Sequence, residues 1–198
     1  MIEGVQGYDA VGADRLAAWD AVPVEAAPEP ALAMLSGPAG QALDIGAGSG
    51  RVSAWLAARG WRVDAVEPMA AFRAHAEAAH RSDAIRWIDG GLPDLAGLDA
   101  GTYQLAVCFA VLAHLDADAR TASLARIGGL LAPGGRLVVS LRIGDGPKGR
   151  RHYPIDAEDF AAAAAEAGLE RVFQTEADSL QAENRRSGVR WLWFGFTR

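Results

Sequence analysis

The run Ala42-Leu43-Asp44-Ile45-Gly46-Ala47-Gly48-Ser49-Gly50-Arg51 sets an acid two residues before three alternating glycines. Glycine at 46, 48 and 50 removes the Cβ atoms that block close approach of a ligand, and permits backbone angles that other residues avoid. The segment that follows reads as a helix, whose first turn presents free backbone N–H groups. The spacing departs from the Gly-x-Gly-x-x-Gly dinucleotide fingerprint, because the third glycine comes one residue early. Asp44 would repel a pyrophosphate but suits a ligand carrying a positive amino group. Two more acids, Glu67 and Asp89, close later apolar runs and adjoin Pro68, Met69 and Gly90. Acids at three strand ends suit a ligand rich in hydrogen-bond donors and poor in phosphate.

A second set of residues offers different chemistry. His114 lies five residues beyond the apolar run that ends at Phe109 and Ala110, a position from which an imidazole can act as a base. Arg142, Lys148, Arg150, Arg151, His152 and Tyr153 fall within twelve residues of an otherwise acidic chain. Such a segment can recognise a carboxylate or a phosphate. Tyr8 and Trp19, near the N-terminus, are aromatic side chains able to close over a small molecule. His75 and His80 share a helical segment with no matching acid and read as surface residues. The one cysteine, Cys108, sits inside an apolar run, so neither a disulfide framework nor a cysteine zinc site is expected, and no metal is assigned.

These residues need a framework of strand ends, and the hydrophobic pattern supplies one. Strands are expected at 42–45, 61–66, 85–88, 104–109 and 137–141, with two more at 171–175 and 189–196. Helices are expected from about 50 to 59, from Pro68 at a first helical position, from an Asp116 cap, and from Asp156 to a stop at Gly168. Alternation of this kind calls for a parallel sheet covered on both faces. The last two strands have no helix-length segment between them and should form a hairpin across a polar loop near 184–187. Residues 1–40 hold no strand-like run. A short helix capped by Asp14, a Pro-broken link and a second short helix at 31–35 read as a cap over the domain.

Bulk properties narrow the classes of function. At 198 residues, 51% hydrophobic and 22% charged, the chain is expected to be one globular domain with a small addition. A formal net charge of −6 argues against nucleic-acid or anionic-membrane partners, which are held by basic surface. No apolar run is long enough to span a bilayer and the N-terminus lacks signal-peptide character, so a cytoplasmic protein is expected.

The Asp44-x-Gly46-x-Gly48-x-Gly50 spacing resembles the first motif of the class I S-adenosylmethionine-dependent methyltransferases. The resemblance covers roughly residues 40–198, because the terminal hairpin and the Leu130–Gly135 segment before the fifth strand also match. It implies an α/β fold: a doubly wound, Rossmann-like sheet of seven strands, mostly parallel with a C-terminal antiparallel hairpin strand, and helices on both faces. Residues 1–40 would form the helical cap and 41–198 the methyltransferase domain. S-adenosyl-L-methionine would be the cofactor and S-adenosyl-L-homocysteine its product. Asp44, Gly46, Ala47, Gly48, Gly50 and Arg51 would hold it from the first strand end. Glu67, followed by Pro68, would accept from the ribose hydroxyls, and Asp89 before Gly90 from the adenine amino group. Met69 and Phe109 would flank adenine and the methionine arm, and Ala110 would offer its carbonyl. The acceptor is expected to be a small molecule, with an anionic group held by Arg150 and Arg151. Tyr8, Trp19, His114 and Tyr153 would complete its pocket, His114 as the candidate base. Neither nucleic acid nor membrane is expected as a partner, and the oligomeric state is open. A non-catalytic binder of the same cofactor, and an NAD-dependent oxidoreductase, which the glycine spacing and Asp44 disfavour, are the competing readings.

Overall fold

The computed structural model describes residues 4–146 and 149–198, so Lys148 of the basic segment lies outside the described residues. Helix α1 (Ala13–Asp20), a 3-10 turn at Val24–Ala26 and helix α2 (Glu29–Leu35) precede the first strand. Strands β1 (Gln41–Ile45), β2 (Arg62–Val66) and β3 (Ile85–Ile88) then alternate with helices α3 (Arg51–Ala57) and α4 (Ala70–Ala79). Strand β4 (Tyr103–Phe109), a 3-10 turn at Leu112–His114 and helix α5 (Ala117–Leu130) lead into β5 (Leu131–Ile143). Helix α6 (Ala157–Glu166), β6 (Glu170–Asp178), the five-residue α7 (Ala182–Arg186) and β7 (Arg190–Thr197) complete the chain.

The seven strands form one sheet in the order β3-β2-β1-β4-β5-β7-β6. β1 to β5 pair in parallel, whereas β7 inserts between β5 and β6 and runs antiparallel to both. Strand residues alternate between two apolar layers, as a sheet covered on both faces requires. Leu43, Ile45, Ala106, Cys108, Leu137 and Val139 pack with Leu124 and Ile127 of α5 and Phe160 of α6. Ala42, Leu105, Val107 and Val138 pack on the other side with Leu35 of α2 and Leu56 of α3. The chain leaves β1 toward β2 on one side and later returns to pair β4 on the other. That reversal opens a crevice at the carboxyl ends of β1 and β4, where such sheets bind ligands.

The expected mixed seven-stranded sheet is therefore present, and so are the caps at Asp116 and Asp156. Asp116 accepts from the Ala119 N–H, and Asp156 from those of Glu158 and Asp159. Four local expectations change. Pro68 is not a first helical residue: Glu67 takes the Met69 N–H in a tight local bond, Met69 stays extended, and α4 starts at Ala70. Asp14 does not cap α1; Gly12 flanks it, and Asp14 sits within the first turn, where the helix dipole favours an acid. β5 starts six residues earlier than Leu137, because Leu131 already pairs with Tyr103 and a register shift absorbs Pro133-Gly134-Gly135. The polar connection of the hairpin coils into α7.

Residues 4–40 divide in two. Ala31 and Leu35 of α2 are fully buried in the sheet's covering layer. The preceding residues lie across the crevice: Tyr8 and Trp19 meet Phe72 of α4 edge-on, with ring centroids at 6.0 and 5.9 Å. His80, just past the end of α4, lies within hydrogen-bond distance of Asp20 of α1, with Nε2 2.8 Å from the carboxylate. This acid lies sixty residues away in the chain, beyond the reach of any local pattern around His80.

Candidate active site

The crevice widens into a cavity of about 970 Å³, a volume suited to a nucleoside-sized ligand together with a second small molecule. One end is built by the turns after β1 and β2. Gly46 and Gly48 both hold left-handed backbone, with φ of 70° and 58°. A Cβ on Gly46 would run into Val111, so glycine is needed there for packing between the β1 and β4 turns. At Gly48 no side chain stands where a Cβ would lie, and the residue faces the cavity. Gly50 has a φ of 86° as well but turns away, against Trp87, Ala76 and His80, and does not line the space.

Two buried carboxylates flank this turn. Asp44 is 3% exposed and accepts a 2.6 Å bond from the Ser53 hydroxyl. Burial pushes its pKa up to about 6, against the pull of that bond and of the nearby Arg51. Glu67 is 5% exposed, and its two oxygens accept 2.9 Å bonds from the N–H groups of Gly48 and Met69. Desolvation raises its pKa too, opposed by those two bonds. Arg51 reaches the carbonyl of Val22 at 3.2 Å and so ties α3 to the N-terminal segment. Ala47, Pro68 and Met69 line the same end, as do Ser49, Gly91 and Leu92, which sequence reading passed over. Asp89 and Gly90 are not part of the wall. The Asp89 side chain is 71% exposed and pairs at 2.9 Å with Arg73, which draws it outward along α4.

The opposite end carries the opposite polarity. Phe109, packed edge-on against Trp193 at 5.0 Å, and Ala110 form its floor. Ala110 holds a φ of 62°, a strained conformation for a residue with a Cβ and one that concentrates at functional sites. Tyr8, Trp19, His114, Arg150 and His152 line the space together. The Tyr8 hydroxyl lies 2.7 Å from His114 Nε2, and His114 Nδ1 lies 2.6 Å from the carbonyl oxygen of Arg151. The Arg150 guanidinium stacks over the Tyr8 ring at 4.5 Å. Arg142 also lines this end; its Nε donates to the Asp145 carbonyl at 2.9 Å. Among the described residues neither Arg142 nor Arg150 has a carboxylate within ion-pair distance. His152 Nε2 is buried without a hydrogen-bond partner. Arg151 and Tyr153 do not line the cavity. They serve it through the backbone, Arg151 by its carbonyl and Tyr153 by an N–H donated to Ala113 at 2.7 Å.

Trp191 and Trp193 of β7 and Asn184 of α7 complete this wall. The apolar run 189–196 that holds the two tryptophans marks a strand, and nothing in its spacing says which face meets a cavity; Asn184 belongs to the polar loop expected near 184–187. Among the described residues no cluster of His, Cys, Asp and Glu could hold a metal ion, and no helix is long and apolar enough to cross a membrane.

Residues 43–137 match the family model described as "Methyltransferase domain". An uncharacterised methyltransferase of Mycobacterium tuberculosis is 38% identical over 97 residues, covering 49% of this chain and 48% of that protein. The match thus spans about half the length of such curated relatives. Among solved structures, the Burkholderia thailandensis 1,6-didemethyltoxoflavin-N1-methyltransferase, with bound 1,6-didemethyltoxoflavin and S-adenosylhomocysteine, superimposes with a TM-score of 0.72. It is 27% identical, over 93% of this chain and 82% of that one. The N-methyltransferase NodS of Bradyrhizobium japonicum shares the fold, with a TM-score of 0.67 at 21% identity over 85% of this chain and 92% of its own.

Proposed function

We propose that this chain is a class I S-adenosylmethionine-dependent methyltransferase, as the methyltransferase-domain match over residues 43–137 and the likeness to a solved methyltransferase support, and that it transfers the methyl group of S-adenosyl-L-methionine to a small-molecule acceptor bearing an anionic group. The observation that carries this reading is the polarity of one continuous cavity: buried Asp44 and Glu67 at one end, uncompensated Arg142 and Arg150 at the other.

The donor end fits the cofactor. The open side of Gly48 leaves room beside the turn. Glu67 keeps a second lone pair on each oxygen after accepting from Gly48 and Met69, and can receive two ribose hydroxyls. Asp44 offers negative charge where a positive amino group would be favoured. Asp89, turned out onto Arg73, is poorly placed for adenine, and the Gly91–Leu92 backbone is the better-placed substitute. When bound, the cofactor supplies a methyl group on a cationic sulfur, activated toward displacement.

The chain's own residues then have to bind, orient and exclude water. Tyr8 and Trp19 lie across the cavity with Phe72 and shield it from solvent. Arg142 and Arg150 can hold a carboxylate or phosphate by charge-assisted bonds. Phe109, Trp191 and Trp193 give an apolar body a surface to lie on. The relative solved with 1,6-didemethyltoxoflavin supports a small-molecule acceptor. The net charge of −6 weighs against nucleic acid.

The reading is tested with methyl-labelled S-adenosylmethionine and a metabolite extract, the products being sorted by mass and charge. Label entering an acidic small-molecule product is expected. A protein that binds the cofactor yet labels no small molecule, protein or RNA would instead be a non-catalytic binder.

A further inference from the structure

Tyr8 and His114 lie 106 residues apart in sequence, yet their side chains meet at 2.7 Å inside the cavity. The bond pattern fixes which atom carries which proton. A backbone carbonyl can only accept, so the 2.6 Å contact with Arg151 oxygen requires a proton on His114 Nδ1. In the neutral ring Nε2 is then a bare acceptor, and Tyr8 must donate to it. This leaves the lone pairs of Tyr8 Oη for whatever occupies the cavity.

The surroundings keep the pair in this state. Burial, with smaller contributions from Arg150 and Arg142, holds His114 below the usual histidine value. Burial raises the Tyr8 value, so its hydroxyl stays protonated. Arg150 faces the Tyr8 ring, His152 stands with its centroid 6.2 Å from that of His114, and Arg142 lines the same end; Glu67 acts on Tyr8 from farther off. The arginines disfavour a positive imidazole while the cavity holds no anion. An acceptor's own negative group, seated on Arg142 and Arg150, would offset that effect and make His114 a stronger base when it is needed.

We propose that Tyr8 and His114 act as a proton-accepting relay for an acceptor whose attacking atom bears a hydrogen, an N–H or O–H nucleophile, an inference that rests on the methyl-transfer reading above. In the step, the acceptor atom forms a bond to the methyl carbon as the methyl–sulfur bond breaks and its electron pair stays on sulfur. The proton of the acceptor atom passes to Tyr8 Oη as the Tyr8 proton passes to His114 Nε2. The resulting imidazolium keeps its Nδ1–H bond to the Arg151 carbonyl. Tyr8 is the catalytic residue that touches the acceptor; His114 is the sink behind it. An acceptor attacking through a thioether sulfur or a tertiary amine nitrogen, which has no proton to lose, would need no such relay.

The experiment compares the parent with Tyr8→Phe, His114→Ala and His114→Asn. Label transfer from methyl-labelled S-adenosylmethionine into extract is read beside calorimetric binding of S-adenosylhomocysteine. Nitrogen NMR of labelled histidines is recorded on parent and Tyr8→Phe. The relay predicts a loss of about 100-fold or more in turnover for each variant, the scale of proton-transfer catalysis, with cofactor affinity unchanged. It predicts an acid limb in the parent kcat/KM, which reports the free enzyme, with an apparent pKa below the usual histidine value, that disappears in His114→Ala. Added imidazoles should restore His114→Ala in proportion to their base strength, and the His114 Nε2 resonance should move toward that of an unbonded nitrogen in Tyr8→Phe. Variants within threefold of the parent, or rescue indifferent to base strength, would overturn the relay and leave the methyl-transfer reading standing. Cofactor binding without label transfer by the parent would remove the relay and the transferase reading together, and loss of cofactor binding would remove the cofactor assignment as well.

Discussion

The two ends of the cavity are made in different ways. The donor end comes from two short turns, after β1 and β2, and its decisive groups are backbone N–H groups and the two carboxylates Asp44 and Glu67. The acceptor end is assembled from four distant segments: the N-terminal residues, the β4–α5 connection, the loop after β5, and β7 with α7. A ligand common to a whole family can be met by a local, repeated geometry fixed by glycine. A ligand particular to one protein calls for side chains brought together from elements free to vary separately. The donor end should therefore resist substitution through the backbone, and the acceptor end through individual side chains.

The largest effect is expected at Gly46. Gly46→Ala places a Cβ against Val111 and forces a left-handed residue, which together should cost about 2–5 kcal/mol of stability. Urea unfolding reads that loss, and Gly48→Ala, strained in φ but free of overlap with side chains, should lose less. Equal losses at both positions would break the distinction between a packed and an open glycine.

Next comes Glu67. Glu67→Ala removes an acceptor for the ligand and leaves the Gly48 and Met69 N–H groups without their partner. Affinity for S-adenosylhomocysteine should fall by about 1–3 kcal/mol, while the Michaelis constant for the acceptor stays put.

Asp44 gives a pH-dependent effect of comparable or smaller size. Its folded pKa of about 6 lies above the ordinary value for an aspartate, so its contribution to stability is complete below pH 4 and is lost as pH rises through 6. Asp44→Asn, which can still accept from Ser53, should stabilise the ligand-free protein at pH 8 by on the order of 2 kcal/mol and leave it unchanged at pH 4. Thermal unfolding at the two pH values checks the sign; an Asn variant less stable at pH 8 than the parent would contradict it.

The arginines sharpen the comparison from the other end. Arg142→Ala and Arg150→Ala should each raise the acceptor's KM about tenfold at unchanged cofactor affinity, the scale of one charge-assisted bond. Arg151→Ala, whose side chain is outside the cavity and whose carbonyl survives the change, should alter KM by less than twofold.

Legibility in the sequence followed the same division. The β1 turn and the acid of Glu67 could be read because strand, acid and glycine are neighbours in the chain. The caps at Asp116 and Asp156 were readable for the same local reason. Asp89 occupies a strand end as expected, but an arginine on a separate helix turns it outward, and a single-chain pattern does not reveal that pairing. The basic segment was visible as composition; the facing of Arg142 and Arg150 inward, and of Arg151 outward, depends on how the loop settles against Tyr8 and Ala113. Trp191 and Trp193 were legible as strand residues, and their role in the wall appears only once β7 is inserted between β5 and β6. Tyr8 was expected to face the acceptor, and its bond to His114 joins segments 106 residues apart in the chain, which no local pattern reveals.

The central claim is that one cavity holds a methyl donor at its acidic end and an anionic acceptor at its basic end. Calorimetric titration of S-adenosylhomocysteine into the parent, Glu67→Ala and the Arg142→Ala/Arg150→Ala double variant tests it most directly. Binding near one to one in the parent is predicted, weakened by Glu67→Ala and unchanged in the double variant. Tight NAD binding with none to S-adenosylhomocysteine, or equal weakening by the acidic-end and basic-end variants, would contradict it.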